Sequence, residues 1–486
     1  MLLALLAACR FNFDLFGGDD DDDASIDAPP SVRAVAYIKA SNPDSFDNFG
    51  LSVALSGDGL TLAVSAPAED SSSAATEADN SVAQSGAVYI FVRSGATWTQ
   101  QAYIKAAFPD ADDFFGWSVA LSGDGNTLAV GAPAEDGGTR GINGLETDNS
   151  AGDSGAAYVF VRSGTTWSQQ AYIKSANSDA ADSFGETVAL SGDGNTLAVG
   201  AIGEDSTATN IDGTATNNMG TDSGAAYVFA RTGTTWMQQA YVKASNTGQN
   251  DEFGWSIALS TDGNTLVVAA PSEDSASEAL PDDNSVLESG AAYVYTRAPT
   301  WAFEAYVKAP VPGSGDFFGR HIALSAGGDQ LICSAPGEDT VIANSGAAYK
   351  HVRSGTTWLP ATTFKAPQPG GDDQFGSSVA TGDGTTIVIT ASTEDSAATG
   401  FDGDATNNDA LDSGAAYVFR DGASTFVKPT VTGAGDIFGY AAAMSSNGLA
   451  YAIGSYHEDS ASPGIDGDAT DDSYPDAGAV FVVFYY

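Results

Sequence analysis

The sequence predicts an all-β protein in which seven four-stranded blades close into a β-propeller. A Phe-Gly dipeptide recurs seven times along the chain: Phe49-Gly50, Phe115-Gly116, Phe184-Gly185, Phe253-Gly254, Phe318-Gly319, Phe375-Gly376 and Phe438-Gly439. Successive copies lie 66, 69, 69, 65, 57 and 63 residues apart. Each copy opens a run of short apolar segments punctuated by Gly, Asp and Ser, the pattern of strands joined by turns. A length of 486 residues would ordinarily suggest about three domains. Repetition overrides that expectation, because one closed array can use the whole length.

The unit beginning at Phe115 shows the four strands most clearly. Ser118 to Leu121 is the first strand, and Asp124-Gly125 is a hairpin turn. Thr127 to Ala132 is a nearly continuous apolar second strand. A polar loop follows, then a third strand from Ala156 to Arg162, a turn at Ser163 to Thr166, and a fourth strand from Trp167 to Lys174. The first two strands are rich in Ala, Val and Gly, small enough for crowding near a central axis. Aromatics such as Trp167 and Tyr172 suit a wider rim. The spacing between copies varies mostly in the loop between strands two and three, as expected where a scaffold is fixed and its connections are free.

The ends of the array predict closure. Only one strand-like segment, Ala34 to Ala40, precedes the first Phe-Gly, and it matches strand four. After the seventh Phe-Gly the chain supplies strands one to three and ends at Tyr486. An open β-solenoid or paired sandwiches, the alternative folds, need no complementary fragments. A ring does, because pairing them removes its exposed edges.

Composition narrows the partners. Lys plus Arg number 18 against 63 Asp plus Glu, for a net charge of −45. Nucleic acid is excluded as a partner, since phosphate binding needs a basic surface. Thirteen of the basic residues recur at two repeat positions and read as structural: Lys39, Lys105, Lys174, Lys243, Lys308, Lys365 and Lys428, with Arg93, Arg162, Arg231, Arg297, Arg353 and Arg420. Cys333 replaces a core valine and reads as a small buried hydrophobe. With Cys9 the only other cysteine, there is no disulfide framework.

Residues 1–9 read as the remnant of a signal ending in a lipobox, Leu6-Ala7-Ala8-Cys9, with Cys9 carrying lipid. The apolar stretch is too short to span a membrane and lacks a basic n-region, so the reading places the true start further upstream. Residues 10–33 hold five consecutive aspartates, Asp19 to Asp23, and read as a disordered acidic tether. The propeller occupies 34–486. The expected location is the bacterial envelope, at the outer membrane or cell surface, with membrane contact through the lipid alone. Arg10 after the cysteine is compatible with outer-membrane sorting.

With Phe-Gly followed about fifteen residues later by Gly-Ala-Pro, as at Gly131-Ala132-Pro133, the array resembles the FG-GAP repeat. That resemblance implies the seven-bladed propeller of integrin α-subunits and of many bacterial surface proteins, and it says less about function. Integrin-type repeats often carry an Asp-x-Asp-x-Asp-Gly calcium loop between strands one and two. Here that turn is the short Ser122 to Asn126 with one carboxylate, so calcium is not carried over to it.

Three acidic features recur. Asp-x-Phe-Gly supplies Asp47, Asp113, Asp182, Asp251, Asp316, Asp373 and Asp436. A Glu-Asp pair ends each second strand, with Glu69, Glu135, Glu204, Glu273, Glu338, Glu394 and Glu458. The loop after it is long and polar. In a four-stranded blade the loop between strands two and three and the link to the next blade emerge together, so these features share one face. One reading makes them turn-formers, through Asx-turns and bonds to loop N–H groups. The other makes them ligands for calcium, through hard oxygen donors. The best local candidates are Asp402, Asp404, Asn407 and Asp409, and Asp466, Asp468, Asp471 and Asp472. They lack the glycine and distal Glu of an EF-hand loop.

Catalysis finds little support. His321, His351 and His457 fall at three different repeat positions, with no nucleophile beside them. Sevenfold repetition of carboxylates argues against a single acid/base pair. Trp117 and Trp255 follow Phe-Gly and read as core or rim packing, with a sugar site as the alternative. The sequence therefore points to a lipid-anchored surface binding or adhesion module for a protein or glycan. A propeller hydrolase or lyase acting on extracellular polysaccharide is the main alternative, and a structural envelope protein the second.

Overall fold

The structure, a computed structural model, describes residues 33–75 and 77–485. Cys9 and the tether preceding Arg33 lie outside the described residues. The described chain forms seven four-stranded antiparallel sheets, each a blade. Blades I to VI run in chain order from strand Val53–Leu55 to strand Ala423–Val427. Blade VII takes strands Ala441–Met444, Ala450–Ser455 and Ala479–Tyr485 from the C-terminal end and Arg33–Ile38 from the N-terminal end. Arg33 pairs with Tyr485 and Ile38 with Val480. The ring closes as expected. In blade II the strands are Ser118–Leu121, Thr127–Ala132, Ala156–Ser163 and Thr166–Ile173, within a residue of the sequence reading.

The first strand of each blade faces the central axis, and each touches the first strands of both neighbours around the ring. These inner strands present free edge N–H groups to the next blade, where no ladder can form. Hydroxyls supply acceptors instead. Ser52 Oγ accepts from Val119 N at 3.2 Å, Ser118 Oγ from Val188 N at 3.1 Å, and Ser256 Oγ from Ile322 N at 3.1 Å. At the end of the Asp-Gly turns, backbone bonds run from blade to blade: Gly57 N to Gly123 O, Gly123 N to Gly192 O, Gly192 N to Thr261 O, Thr261 N to Ala326 O and Ala326 N to Gly382 O, with Ser446 N returning to Gly57 O.

The core is divided into seven apolar layers, one at each junction between blades. Between blades II and III, Val159 and Ile173 meet Phe184, Val199 and Tyr227. Cys333, fully buried, sits in the layer between blades IV and V, as its replacement of a valine implied. Phe184 lies edge-on to Tyr227 and Phe229, with ring centroids 5.4 Å and 6.1 Å away.

The repeated Phe-Gly latches each blade to its predecessor. Phe253 N donates to Ser223 O at 3.2 Å, and the Ser-Gly that opens strand three sits directly beneath. Gly224 has φ +74°, and a Cβ there would lie 2.2 Å from Phe253 O. No side chain fits at that position, which explains why Ser-Gly repeats with Phe-Gly. Truncating such a buried Phe to Ala costs about 3–5 kcal/mol.

Closure makes a direct prediction. Deleting residues 1–40 strips the fourth strand from blade VII and bares the edge of Ala479–Tyr485. The truncated protein is expected to aggregate or melt well below the full chain. Moving residues 33–40 to follow Tyr486 through a linker of about four residues restores the pairing and the melting temperature, since Arg33 already faces Tyr485. Equal solubility and melting of the deletion would contradict the closed ring.

Candidate functional site

The loop face begins with a lysine–glutamate pair repeated in every blade, which blade III embeds in a buried network. In blade III, Glu204 Oε2 accepts from Lys243 Nζ at 2.8 Å and Oε1 accepts from Tyr241 Oη at 2.8 Å. Lys243 Nζ also donates to Ser223 Oγ at 2.7 Å, and Ser223 Oγ donates to the carbonyls of Glu204 and Ser206. The same pair recurs as Lys105–Glu69, Lys174–Glu135, Lys308–Glu273, Lys365–Glu338 and Lys428–Glu394. In blade VII the pair is Lys39–Glu458, 2.7 Å apart and joining the two ends of the chain. Thus the seven glutamates read as an acidic face are buried and neutralised by the lysines of strand four. The sequence reading took those lysines as structural without finding their partners. The usable signal was a constant blade position for both residue types. Burial pushes each lysine down from its ordinary value, and the adjoining carboxylate works against that push.

In six blades, blade V excepted, the aspartate of the Glu-Asp turns outward to close its loop. Asp205 Oδ1 accepts from Asp222 N at 2.9 Å and Asp395 Oδ1 from Asp412 N at 2.9 Å, with equivalent bonds at Asp70, Asp136, Asp274 and Asp459. The Asp-x-Phe-Gly aspartates are turn-formers too, but they reach backward. Asp251 accepts from Gly248 N at 2.8 Å, and Asp47, Asp113, Asp182, Asp316, Asp373 and Asp436 each take the N–H three residues earlier. Burial pushes their carboxyls up, and nearby carboxylates add to the rise. Asp47 reaches about 8, Asp113, Asp182, Asp251 and Asp436 about 7, and Asp373 about 6; Asp316 rises as well.

The residues of the candidate calcium loops bond to their own blades. In blades II, III, VI and VII the long loop folds back and bridges strand four, at Ile142 with Ile173, Ile211 with Val242, Phe401 with Val427 and Ile465 with Ile38. The next residue clamps the strand with both its backbone and its side chain. Asp402 N donates to Phe426 O at 2.8 Å while Asp402 Oδ1 accepts from Phe426 N at 3.1 Å. Asp466 does the same with Tyr37. Asp404 and Asp468 cap Thr406 and Thr470, and Asn407 Oδ1 accepts from Ala397 N at 2.9 Å. Asp409 and Asp472 are exposed and Asp471 is half-buried. Among the described residues, no three acidic, His or Cys groups converge in a way that holds a metal ion. The bonds these residues make hold the loops against strand four, at the outer edge of the blade.

The position after Phe-Gly is different. There the seven blades carry Leu51, Trp117, Glu186, Trp255, Arg320, Ser377 and Tyr440. Six of these, Ser377 excepted, line a cavity of about 440 Å³ at the channel mouth on the loop face. Trp117 and Trp255, expected to pack in the core or rim, are half-buried here instead. In five blades this residue lies just before the first strand, at the mouth of the channel that the first strands line. Trp117 Nε1 donates to Glu186 Oε1 at 3.0 Å. The Arg320 guanidinium carbon lies 4.0 Å from the centroid of Trp255. Tyr440 packs on Tyr456 with centroids 4.5 Å apart, and Tyr456 packs on His457. His321 also lines the cavity, and burial with the neighbouring Arg320 lowers it to about 4. His351 lies away from it, buried edge-on to Phe318.

A closed propeller with a symmetric scaffold and an asymmetric channel mouth defines a repeat-built module with one distinctive concave site. The FG-GAP repeat family model matches residues 32–91, 98–160, 167–229 and 236–295, together just over half of the chain. The protein belongs to the FG-GAP repeat family. Each match runs from a fourth strand to the next third strand, and blades V to VII continue the same geometry beyond it. No curated protein matches the chain.

The raised aspartates set a pH dependence. The unfolded chain releases these protons near pH 4, whereas the folded ring holds them until about pH 6–8. The stability they contribute is complete below pH 4 and is lost as pH rises through the folded values. Between pH 5.5 and pH 8.5 the melting temperature is therefore expected to fall by several degrees. Asp251→Asn keeps the acceptor for Gly248 N without the charge, and should flatten part of that slope. A melting temperature that rises across this window would contradict the assignment.

Proposed function

We propose that the protein is a binding module that captures an extracellular protein or glycan at the loop face, over the channel mouth. A lipid on Cys9 and an acidic tether would hold it at the cell surface. The observation that carries the reading is the break in symmetry after Phe-Gly. Flanking positions repeat around the ring, while this position brings Leu, Trp, Glu, Trp, Arg and Tyr into one cavity. A scaffold needs no such variety, whereas a site with convergent aromatic and polar groups does. The propeller of integrin α-subunits, with which this chain shares its repeat, offers the analogous role.

Two measurements test this. An array of glycans and purified surface proteins is probed with the wild type and with Trp117→Ala/Tyr440→Ala. The reading expects a ligand that the variant, still folded as judged by a cooperative melt, binds at least about tenfold more weakly. Ligands bound alike by both proteins would remove the channel mouth from the account. For the anchor, the full gene is expressed and fractionated beside Cys9→Ser. Loss of the variant from the membrane pellet is expected, and equal retention would count against lipidation.

A further inference from the structure

Resting on that binding reading, we propose that the channel mouth recognises the carboxylate of a uronic acid residue at the end of a glycan, with Arg320 as its anchor. Arg320 follows Phe318-Gly319 in blade V and reaches the cavity from the turn just before the first strand, Ile322–Leu324. Its guanidinium is held over the indole of Trp255 from blade IV, 4.0 Å from the ring centroid. Stacking fixes the plane of the guanidinium and leaves its N–H edge for a planar acceptor. Among the described residues that edge donates no hydrogen bond and enters no ion pair. The repeated arginines contrast with it: Arg162, Arg231 and Arg297 each donate to an Asn of their own blade. The carboxylates nearest in its field, Glu186 and Glu252, are engaged elsewhere, by Trp117 Nε1 at 3.0 Å and Ser272 Oγ at 3.0 Å.

The rest of the cavity suits a sugar. Trp117 and Tyr440 present aromatic surface to an apolar ring face, and Tyr456 backs Tyr440. Glu186, oriented by Trp117, offers its second oxygen to a hydroxyl. A volume of about 440 Å³ falls within the range of small-ligand pockets. Charge then selects the form of the ligand. With a net charge of −45 and its strand-four lysines buried, the protein repels a polyanion lying across its loop face. A single carboxylate carried into the cavity meets Arg320 first. Bidentate guanidinium–carboxylate pairing in a partly desolvated cavity gives both orientation and affinity.

The test uses the full chain and two sets of probes. Methyl β-glucuronide and uronic-acid-terminated oligosaccharides are titrated beside their neutral glucosides and an acetylated dipeptide acid. The proteins are the wild type, Arg320→Gln, Arg320→Lys and Trp117→Ala. The proposal expects the uronates to bind at least about tenfold more tightly than the neutral sugars. Arg320→Gln removes that preference and Arg320→Lys restores part of it, each variant showing the same cooperative unfolding as the wild type. Equal binding of glucuronide and glucoside, tighter binding of the peptide acid, no uronate binding, or binding indifferent to Arg320→Gln would each overturn it. A ligand found on the array whose binding needs Trp117 but not Arg320 overturns this proposal and leaves the binding module standing. If no ligand responds to Trp117→Ala either, both fall.

Discussion

The structure depends on a buried ammonium–carboxylate pair set once in each blade, where strand four meets the end of strand two. Each pair lies under the loop face; in six blades both side chains are almost wholly out of water, while in blade V Lys365 is partly exposed. Desolvating two charges is costly, and only close geometry with further hydrogen bonds offsets it. The Tyr and Ser around Glu204 and Lys243 supply those bonds. The pair therefore fixes the order of loops above it more than it adds stability. In blade VII it also joins Lys39 to Glu458, so the same interaction that orders each blade closes the ring.

This arrangement changes what the acidic composition means. A face with seven Glu-Asp pairs looks like a cation sink, yet the Glu of each pair is neutralised from below. The Asp holds the loop, and the Asp before Phe-Gly is tied to its own backbone. Repeated acidic chemistry is thus consumed by the scaffold. The ring of positions after Phe-Gly, by contrast, does not repeat. Inner strands of three to seven residues bring those leading side chains within reach of one another, which a larger or open sheet would not do.

Much of the fold was legible in the sequence because its signals are local and repeated. Asp124-Gly125 fixes a hairpin, and Ala34 to Ala40 carries the Tyr and Lys of a fourth strand at the usual spacing, so closure followed from counting. The Lys–Glu pairing was hidden because its partners lie 34 to 39 residues apart within a blade such as VI or III. No local pattern links them; only the return of the chain through two more strands does. The contacts of Asp402 and Asp466 with strand four were hidden for a related reason. Their Asp-Gly-Asp spacing resembles the opening of a cation loop, but both residues adopt positive φ, 52° and 54°, and turn a side chain onto strand four. The direction of Trp117 and Trp255 was unreadable because a four-residue strand gives too short an alternation to separate channel from core.

The central claim is that each Lys–Glu pair acts as a unit whose halves are tolerated only together. A double-mutant cycle in blade III measures this most directly, with Lys243→Met, Glu204→Leu and their combination compared by denaturant unfolding. The account predicts that each single change costs about 3–5 kcal/mol, by leaving a buried charge unpaired, and that the double change costs far less than their sum. Additive losses would contradict it, and would mean that the two residues stabilise the blade independently.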